Sequence, residues 1–141
     1  MERQSDHWKN QTVYAGIDLH KNKWVVTVRT LDVVLKTFVT NADKIVLLKS
    51  FQHHWPGAKI KAVYEAGCFG YHLADFLNNN GVETIIVAPH TIPMAPGQFV
   101  KTDIIDSRKL AFELAKGSLN GIYLRPTEDL FDRSVVRKRQ Q

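Results

Sequence analysis

Hydrophobic positions follow two different periods along the chain, and the change between them predicts the order of strands and helices. Three short runs rich in β-branched and aromatic residues come first, at Val13 to Asp18, Trp24 to Thr30 and Val33 to Val39. Runs of this length and composition are typical of β-strands. The connectors between them are too short to hold a crossover helix, so they predict an antiparallel meander.

Helical spacing begins after the third predicted strand. Asn41 is a suitable N-cap for a helix that continues to about His54. Within that helix, Ile45, Leu48 and Gln52 would lie along one face.

The next part of the chain alternates strand and helix, which predicts parallel pairing. Strands at Ile60 to Glu65 and at Glu83 to Ala88 flank a helix at Tyr71 to Asn80. Gly81 would end that helix. A long loop from Pro89 to Thr102 follows, and loops of this length in compact domains are often functional.

An amphipathic helix is predicted from Asp103 to Lys116, ended by Gly117. Ile122 to Leu124 has the composition of a short strand, and Thr127 would cap a last helix that runs to the end of the sequence. Because that final pattern has no terminating residue, we expect the chain to be the first part of a longer protein.

These elements predict a mixed five-stranded α/β sheet, with three antiparallel strands, then two parallel strands, and flanking helices. In such a sheet the first and fourth strands can lie side by side and parallel. Ligands of α/β sheets collect at the carboxyl ends of the parallel strands. Asp18 ends the first strand and Glu65 ends the fourth, so the topology would bring together two acids that are far apart in sequence.

Asp103 and Asp106 form a second pair of acids, three positions apart at the head of the predicted helix. Side chains at that spacing share one face of a helix. All four acids also have a purely structural interpretation. Acids in a first turn stabilise a helix through its dipole, Glu65 would be an exposed strand-end residue, and Asp18 would cap a turn beside Lys21.

Carboxylates gathered in one place repel one another unless a cation lies between them. Mg²⁺ prefers hard oxygen ligands and retains several waters, which suits phosphate substrates. Two such ions stabilise both the attacking and the leaving oxygen of a phosphodiester. The pattern therefore indicates a magnesium site, with manganese as a substitute, and phosphate chemistry. Its candidate ligands are Asp18, Glu65, Asp103 and Asp106.

Composition indicates the class of protein and the compartment in which this chemistry would take place. The chain has 141 residues, 44% hydrophobic and 23% charged, which is ordinary for one globular domain. The single cysteine, Cys68, excludes an internal disulfide, and with His72 it is only a weak zinc pattern. Met1 to Asn10 is polar, and no apolar run approaches the roughly 20 residues of a membrane helix. We therefore expect a cytoplasmic protein without a membrane partner.

The basic residues include candidates for contacts with nucleic acid. The formal net charge is +5 and the pI is about 9.4, which favours polyanions. Lys101, Arg108 and Lys109 flank the acid pair and are candidates for phosphate contacts, or alternatively a solvated helix face. A second basic cluster would bind RNA or DNA with salt-sensitive affinity, or form the polar face of a connecting helix. It comprises Arg133, Arg137, Lys138 and Arg139.

Three segments resemble, in order and in character, the amino-terminal domain of the DEDD insertion-sequence transposases, the family that includes the bridge-RNA-guided DNA recombinases. They are Gly16 to Lys21 (GIDLHK), Tyr64 to Gly67 (YEAG) and Lys101 to Ala111 (KTDIIDSRKLA). The resemblance covers about residues 13–141. The chain departs from the family at Ser107, where many relatives have alanine, and we expect little effect from this difference.

The resemblance implies a ribonuclease-H-like fold of the RuvC type, in which the four acids are the catalytic, metal-binding tetrad. It divides the chain into a polar tail (1–12), a catalytic domain (13–124) and the start of a basic helical connector (125–141). The family carries a second, carboxy-terminal domain with an essential serine nucleophile, so we expect the chain to be inactive without it. The implied setting is bacterial or archaeal. The implied partners are transposon and target DNA, a structured guide RNA in some members, and sister subunits in a dimer or tetramer.

Two other functions are compatible with the sequence. The first is a non-catalytic module for nucleic-acid binding and oligomerisation, which the basic tail and the positive net charge favour. The second is a sugar-kinase or actin-like phosphotransferase, whose first phosphate loop also contains Gly-Ile-Asp at a strand end. The chain is short for a two-lobed ATPase and has no second glycine-rich phosphate loop.

Overall fold

The computed structural model describes residues 7–67, 70–88, 92–93, 99–100 and 106–119. Five strands in these residues form one sheet: β1 (Thr12–Leu19), β2 (Lys23–Arg29), β3 (Val34–Asn41), β4 (Lys59–Glu65) and β5 (Val82–Val87). A separate two-stranded ribbon pairs β6 (Ile92–Pro93) with β7 (Phe99–Val100). The helices are α1 (Lys44–His54), α2 (His72–Asn79) and α3 (Ser107–Lys116).

The strand order in the sheet is β3-β2-β1-β4-β5. β1 pairs with β2, and β2 with β3, in antiparallel orientation, whereas β4 lies parallel to both β1 and β5. This confirms the predicted meander followed by two parallel strands, and the position of the fourth strand beside the first. The architecture is that of an α/β, ribonuclease-H-like fold.

The main hydrophobic core lies between the sheet and helices α1 and α2. It contains Val26 of β2, Phe51 of α1 and Leu77 of α2, all fully buried. Trp24 belongs to the same cluster, as expected for a strand residue that shares a face with Val26 and Val28. This side of the sheet supplies most of the buried apolar surface.

Helix α3 covers the opposite face of the sheet. Its Leu110 packs in a second buried cluster with Val63 of β4 and Val87 of β5. Gly16 of β1 permits a very close approach, because a Cβ at this position would lie 2.5 Å from the backbone nitrogen of Ala111. The absence of a side chain at Gly16 therefore sets how deeply α3 sits on the sheet.

Two predicted helix starts were wrong. Asp43 is the N-cap of α1, because its carboxylate accepts hydrogen bonds from the backbone N–H groups of Ile45 and Val46, at 2.8 and 3.2 Å. The predicted cap, Asn41, is instead the last residue of β3, where it pairs with Lys23 of β2. Asn41 has the local preference of a helix cap, but its pairing in the sheet prevails.

The buried face of α1 also differs from the prediction. Ile45 is 51% exposed, and the buried residues are Leu47, Leu48 and Phe51. Only Leu48 was correctly placed on the inward face. Successive helical residues are rotated by about 100° around the axis. An inward direction chosen one residue away therefore changes which side chains are expected to be buried.

The second wrong start is that of α3, which begins at Ser107 rather than Asp103. Asp106 has extended backbone angles, φ −74° and ψ 177°, and is the N-cap. Its predicted place inside the first helical turn is therefore incorrect. Gly117 ends the helix in a left-handed conformation, φ 74°, as predicted. The predicted strand at Ile122 to Leu124 and the helix from Thr127 lie outside the described residues.

The predicted loop from Pro89 to Thr102 contains the ribbon of β6 and β7, in which Ile92 pairs with Val100. Strands of two residues have no periodicity that a sequence pattern can show. In the described part of the chain, none of the helices has the length and apolar character required to cross a membrane.

Candidate metal site at the carboxyl ends of the strands

Asp18 and Glu65 lie at corresponding positions on adjacent parallel strands. The register pairs Ile17 of β1 with Tyr64 of β4. Continuing each strand by one residue brings Asp18 beside Glu65. Because neighbouring strands are about 4.8 Å apart, the two carboxylates start from backbone positions close together at one edge of the sheet.

Both acids belong to the face of the sheet that α3 covers. Gly16, two residues before Asp18, faces α3 directly, and Val63, two residues before Glu65, packs against Leu110 of that helix. Side chains two positions apart on a strand point to the same face. Asp18 and Glu65 are therefore on the α3 side of the sheet.

The direction of α3 places its amino terminus toward the same edge. Ser107 contacts Thr27 of β2, which pairs with Gly16, whereas Phe112 contacts Arg29 farther along β2. Since β2 runs antiparallel to β1, α3 runs from the carboxyl end of β1 toward its beginning. Asp106, immediately before the helix, is thus the third predicted acid on this face and at this end. Asp103 lies outside the described residues.

The Asp106 carboxylate caps α3. Its Oδ1 accepts hydrogen bonds from the backbone N–H groups of Arg108 and Lys109, at 3.0 and 3.2 Å, and the Arg108 guanidinium lies 3.3 Å from Oδ2. Partial burial acts to raise the pKa of Asp106. The hydrogen bonds from Lys109 and Arg108 outweigh it, so the pKa is lower than usual. This carboxylate remains ionised at neutral pH.

The Asp18 carboxylate has a different partner from the one that its structural interpretation proposed. Nε2 of His20 lies 3.1 Å from its Oδ2, and the Asp18 side chain is 22% exposed. Of the ion pairs among the described residues, none joins Asp18 to Lys21. Asp18 is thus a partly buried carboxylate that still reaches solvent.

A chain of three hydroxyl groups, buried at Thr27 and Ser107, holds the first turn of α3 against the sheet. Oγ1 of Thr27 lies 2.9 Å from Oγ of Ser107 and 3.0 Å from Oγ1 of Thr37. Thr27 and Ser107 are both buried. We expected little effect from serine at position 107, but the structure gives this hydroxyl a partner that alanine could not bind. The sequence clue was a threonine, Thr27, between two valines in the middle of the strand.

Tyr64 holds the segment that follows Glu65. Its buried hydroxyl donates a hydrogen bond to the Gly70 carbonyl at 2.8 Å and accepts one from the Ala74 N–H at 3.0 Å. Burial raises the pKa of Tyr64 to about 12. The hydroxyl therefore connects the carboxyl end of β4 to the start of α2. Sequence reasoning assigned Tyr64 no role, although a tyrosine directly before a candidate acid was visible.

The three candidate acids within the described residues have the type of donor atom that magnesium requires. Asp18, Glu65 and Asp106 supply hard carboxylate oxygens from one edge and one face of the sheet, and Mg²⁺ prefers such ligands. Within the described ranges, no three histidine, cysteine, aspartate or glutamate side chains form a group that could hold a metal ion. The donor type fits magnesium, and the assignment of all four ligands stays a prediction.

The predicted basic contacts divide into two groups. Arg108 and Lys109 are exposed on the first turn of α3, close to the acid edge. The others lie outside the described residues, and they are Lys101, Arg133, Arg137, Lys138 and Arg139.

Comparisons with known proteins identify two transposases as relatives. The chain is 40% identical over 76 residues to the putative transposase y4qE of Sinorhizobium fredii, an alignment of 54% of this chain and 20% of that protein. It is 33% identical over 104 residues to the transposase for insertion sequence element IS1533 of Leptospira borgpetersenii, covering 70% of this chain and 30% of that protein. No family model matches the chain. Less than a third of each relative is thus spanned, and the similarity supports a transposase family.

Proposed function

We propose that this chain is the amino-terminal, metal-binding catalytic domain of a DEDD-type DNA transposase, acting on DNA phosphodiesters. The observation that carries the proposal is the arrangement of three acids. Asp18 and Glu65 lie at the carboxyl ends of adjacent parallel strands, and Asp106 caps the helix that lies on the same face. The similarity to two transposases supports the class of reaction.

In this proposal, Asp18, Glu65 and Asp106 draw together with Asp103 around a bound Mg²⁺, since the three described acids do not form a metal-holding group as they stand, and Mn²⁺ can replace it. When bound, the metal supplies Lewis-acid stabilisation of negative charge on phosphodiester oxygens. The chain itself provides anionic oxygens at neutral pH, since Arg108 and Lys109 stabilise the ionised form of Asp106.

We further propose that the catalytic domain occupies residues 13–124 and needs the serine domain implied by the family resemblance. Residues 125–141 would then form the basic connector to that domain. The proposed partners are transposon and target DNA, a structured guide RNA, and sister subunits in a dimer or tetramer. The basic net charge of +5 is compatible with the nucleic-acid partners.

Titration calorimetry with manganese tests the metal assignment. The wild-type chain should bind Mn²⁺, and Asp18→Asn and Asp106→Asn should each weaken binding at least about tenfold, because each loses an anionic ligand. Asn caps helices about as well as Asp, so the second variant should retain α3. Asp32→Asn is the matched control, since Asp32 is exposed in the turn between β2 and β3. Equal heats for all four proteins would refute the proposal.

Thermal denaturation separates a metal role from a structural one. In chelator, Asp106→Asn should melt near the wild-type temperature, because Asn caps helices about as well as Asp and an exposed ion pair such as Asp106–Arg108 contributes little. At a metal concentration about one hundred times Kd, the wild type should gain about 2.7 kcal/mol. A clear loss of stability in metal-free buffer would show that Asp106 serves structure. DNA binding that is indifferent to chelator and to both acid variants, without manganese heats, would favour the non-catalytic module.

A further inference from the structure

The outward face of α3 carries a row of cationic and aromatic side chains. Arg108, Phe112 and Lys116 are four residues apart and exposed, so they follow one another along the helix surface. Phe112 is 40% exposed, so its ring is accessible at the helix surface. The row begins at Arg108, which pairs with the Asp106 carboxylate, and leads away from the acids along the helix.

Two cations meet at the Phe112 ring. The Arg29 guanidinium carbon lies 5.1 Å from the ring centroid, and Nζ of Lys116 lies 4.8 Å from it. Both distances are within the range in which the ring quadrupole attracts a cation. Arg29 is further oriented by hydrogen bonds to the carbonyls of Thr30 and Leu31, at 3.0 and 3.3 Å. The aromatic ring therefore holds two charges in defined positions.

In the described part of the chain, acids do not neutralise these two charges. Among the described residues, neither Arg29 nor Lys116 forms an ion pair with a carboxylate. The helix dipole explains a lysine in the last turn of α3. Hydrogen bonds to the Thr30 and Leu31 carbonyls fix Arg29, but neither they nor the dipole explain why an exposed ring lies between the two cations. A surface that binds an external anion explains all three.

The position of the row indicates which anion it binds. Arg108 lies next to Asp106 at the acid edge, and Lys116 is eight residues farther along the helix, about 12 Å away at 1.5 Å per residue. A row of fixed cations leading away from a candidate phosphodiester site matches a polyanion that extends through that site, rather than a single small anion.

We propose that Arg29, Arg108, Phe112 and Lys116 form a binding surface, here called the α3 row, for the phosphate backbone of duplex DNA. The inference rests on the proposed function, because the DNA is the one whose phosphodiester the acids would hold. Arg29 and Lys116 contact phosphates, and Phe112 acts as a positioning residue that orients both cations.

Fluorescence anisotropy with a labelled DNA duplex in chelator tests this surface. Arg29→Gln and Lys116→Gln should each weaken binding roughly fivefold to tenfold at about 0.1 M salt, and each should reduce the slope of log K against log salt by about 0.9. Lys49→Gln removes the same charge from an exposed position on α1, across the sheet, and should bind as the wild type does. If the first two variants match this control, the α3 row is refuted.

Phe112→Leu distinguishes positioning from simple charge. It keeps an apolar side chain and both cations, so it should weaken binding while leaving the salt slope unchanged. Wild-type affinity in this variant would overturn the positioning role of Phe112. A duplex RNA of the same sequence that binds tenfold more tightly than the DNA would overturn the choice of DNA. Because binding is measured in chelator, failure of the metal proposal leaves these outcomes unaffected, and Lys116→Gln should bind manganese normally.

Discussion

Replacing Gly16 with alanine should displace α3 and destabilise the protein strongly. The new Cβ would lie 2.5 Å from the Ala111 nitrogen and 2.9 Å from Cβ of Leu110, and it would also collide with the Ser107 carbonyl. Ordinary carbon contacts lie at about 3.5–4.0 Å. Two of the three obstacles are helix backbone atoms, which cannot rotate away, so α3 has to withdraw by about 1 Å.

The size of the loss in stability follows from the contacts that the withdrawal of α3 breaks. Adding one carbon to a packed interface typically costs about 1–3 kcal/mol, and immobile backbone neighbours favour the upper end. The 2.9 Å hydrogen bond between Thr27 and Ser107 would also lengthen, at about 1 kcal/mol. We therefore expect a loss of about 3–4 kcal/mol in the free energy of unfolding, a large part of the roughly 5–15 kcal/mol of a typical domain.

Urea denaturation measures this loss, and Gly67→Ala is the matched control. Gly67 also lies near the carboxyl end of the sheet, but a Cβ there would meet no atom of the described residues within 4 Å, and its φ is not positive. The control should change stability by less than about 0.5 kcal/mol. Equal denaturation midpoints for the two variants would refute the argument that Gly16 sets the position of α3.

Two further predictions concern buried hydroxyls. Ser107→Ala should cost about 1 kcal/mol, whereas Thr27→Val should cost about 1–3 kcal/mol because it leaves the Ser107 hydroxyl buried without its partner; equal costs in urea denaturation would contradict the hydroxyl chain. Tyr64 has a pKa of about 12 in the folded chain against about 10 unfolded, so its contribution is complete below pH 10 and disappears as the pH rises toward 12. Tyr64→Phe should lack this alkaline loss, and parallel stability curves from pH 9 to 12 would contradict it.

The local sequence pattern was sufficient to predict the strands of the sheet and their pairing. Each strand has a run of β-branched or aromatic residues, and the short connectors between β1, β2 and β3 leave only antiparallel pairing. Alternation of strand and helix then places β4 parallel to β1, as observed. The adjacency of Asp18 and Glu65 follows from that topology alone. It was predictable because it depends on strand order and not on any side-chain contact.

Helix starts were less predictable, because capping residues compete with other uses of the same chain. Asn41 has the chemistry of an N-cap but is used by β3, which leaves Asp43 to cap α1. Asp106 is the N-cap of α3 and therefore lies one residue before the helix, although it was predicted to lie within the first helical turn. Asp103 lies outside the described residues, and its role as a ligand stays a prediction.

Strand order, the placement of two acids at one edge and the basic excess could all be read from the amino-acid sequence, because they depend on periodicity, connector length and composition. The depth of α3 over Gly16, the Thr27–Ser107 contact and the meeting of Arg29 with Lys116 at Phe112 could not. These depend on how a helix and a strand some 80 residues apart pack together. Such packing is set by three-dimensional distances of a few ångströms, which no local pattern encodes.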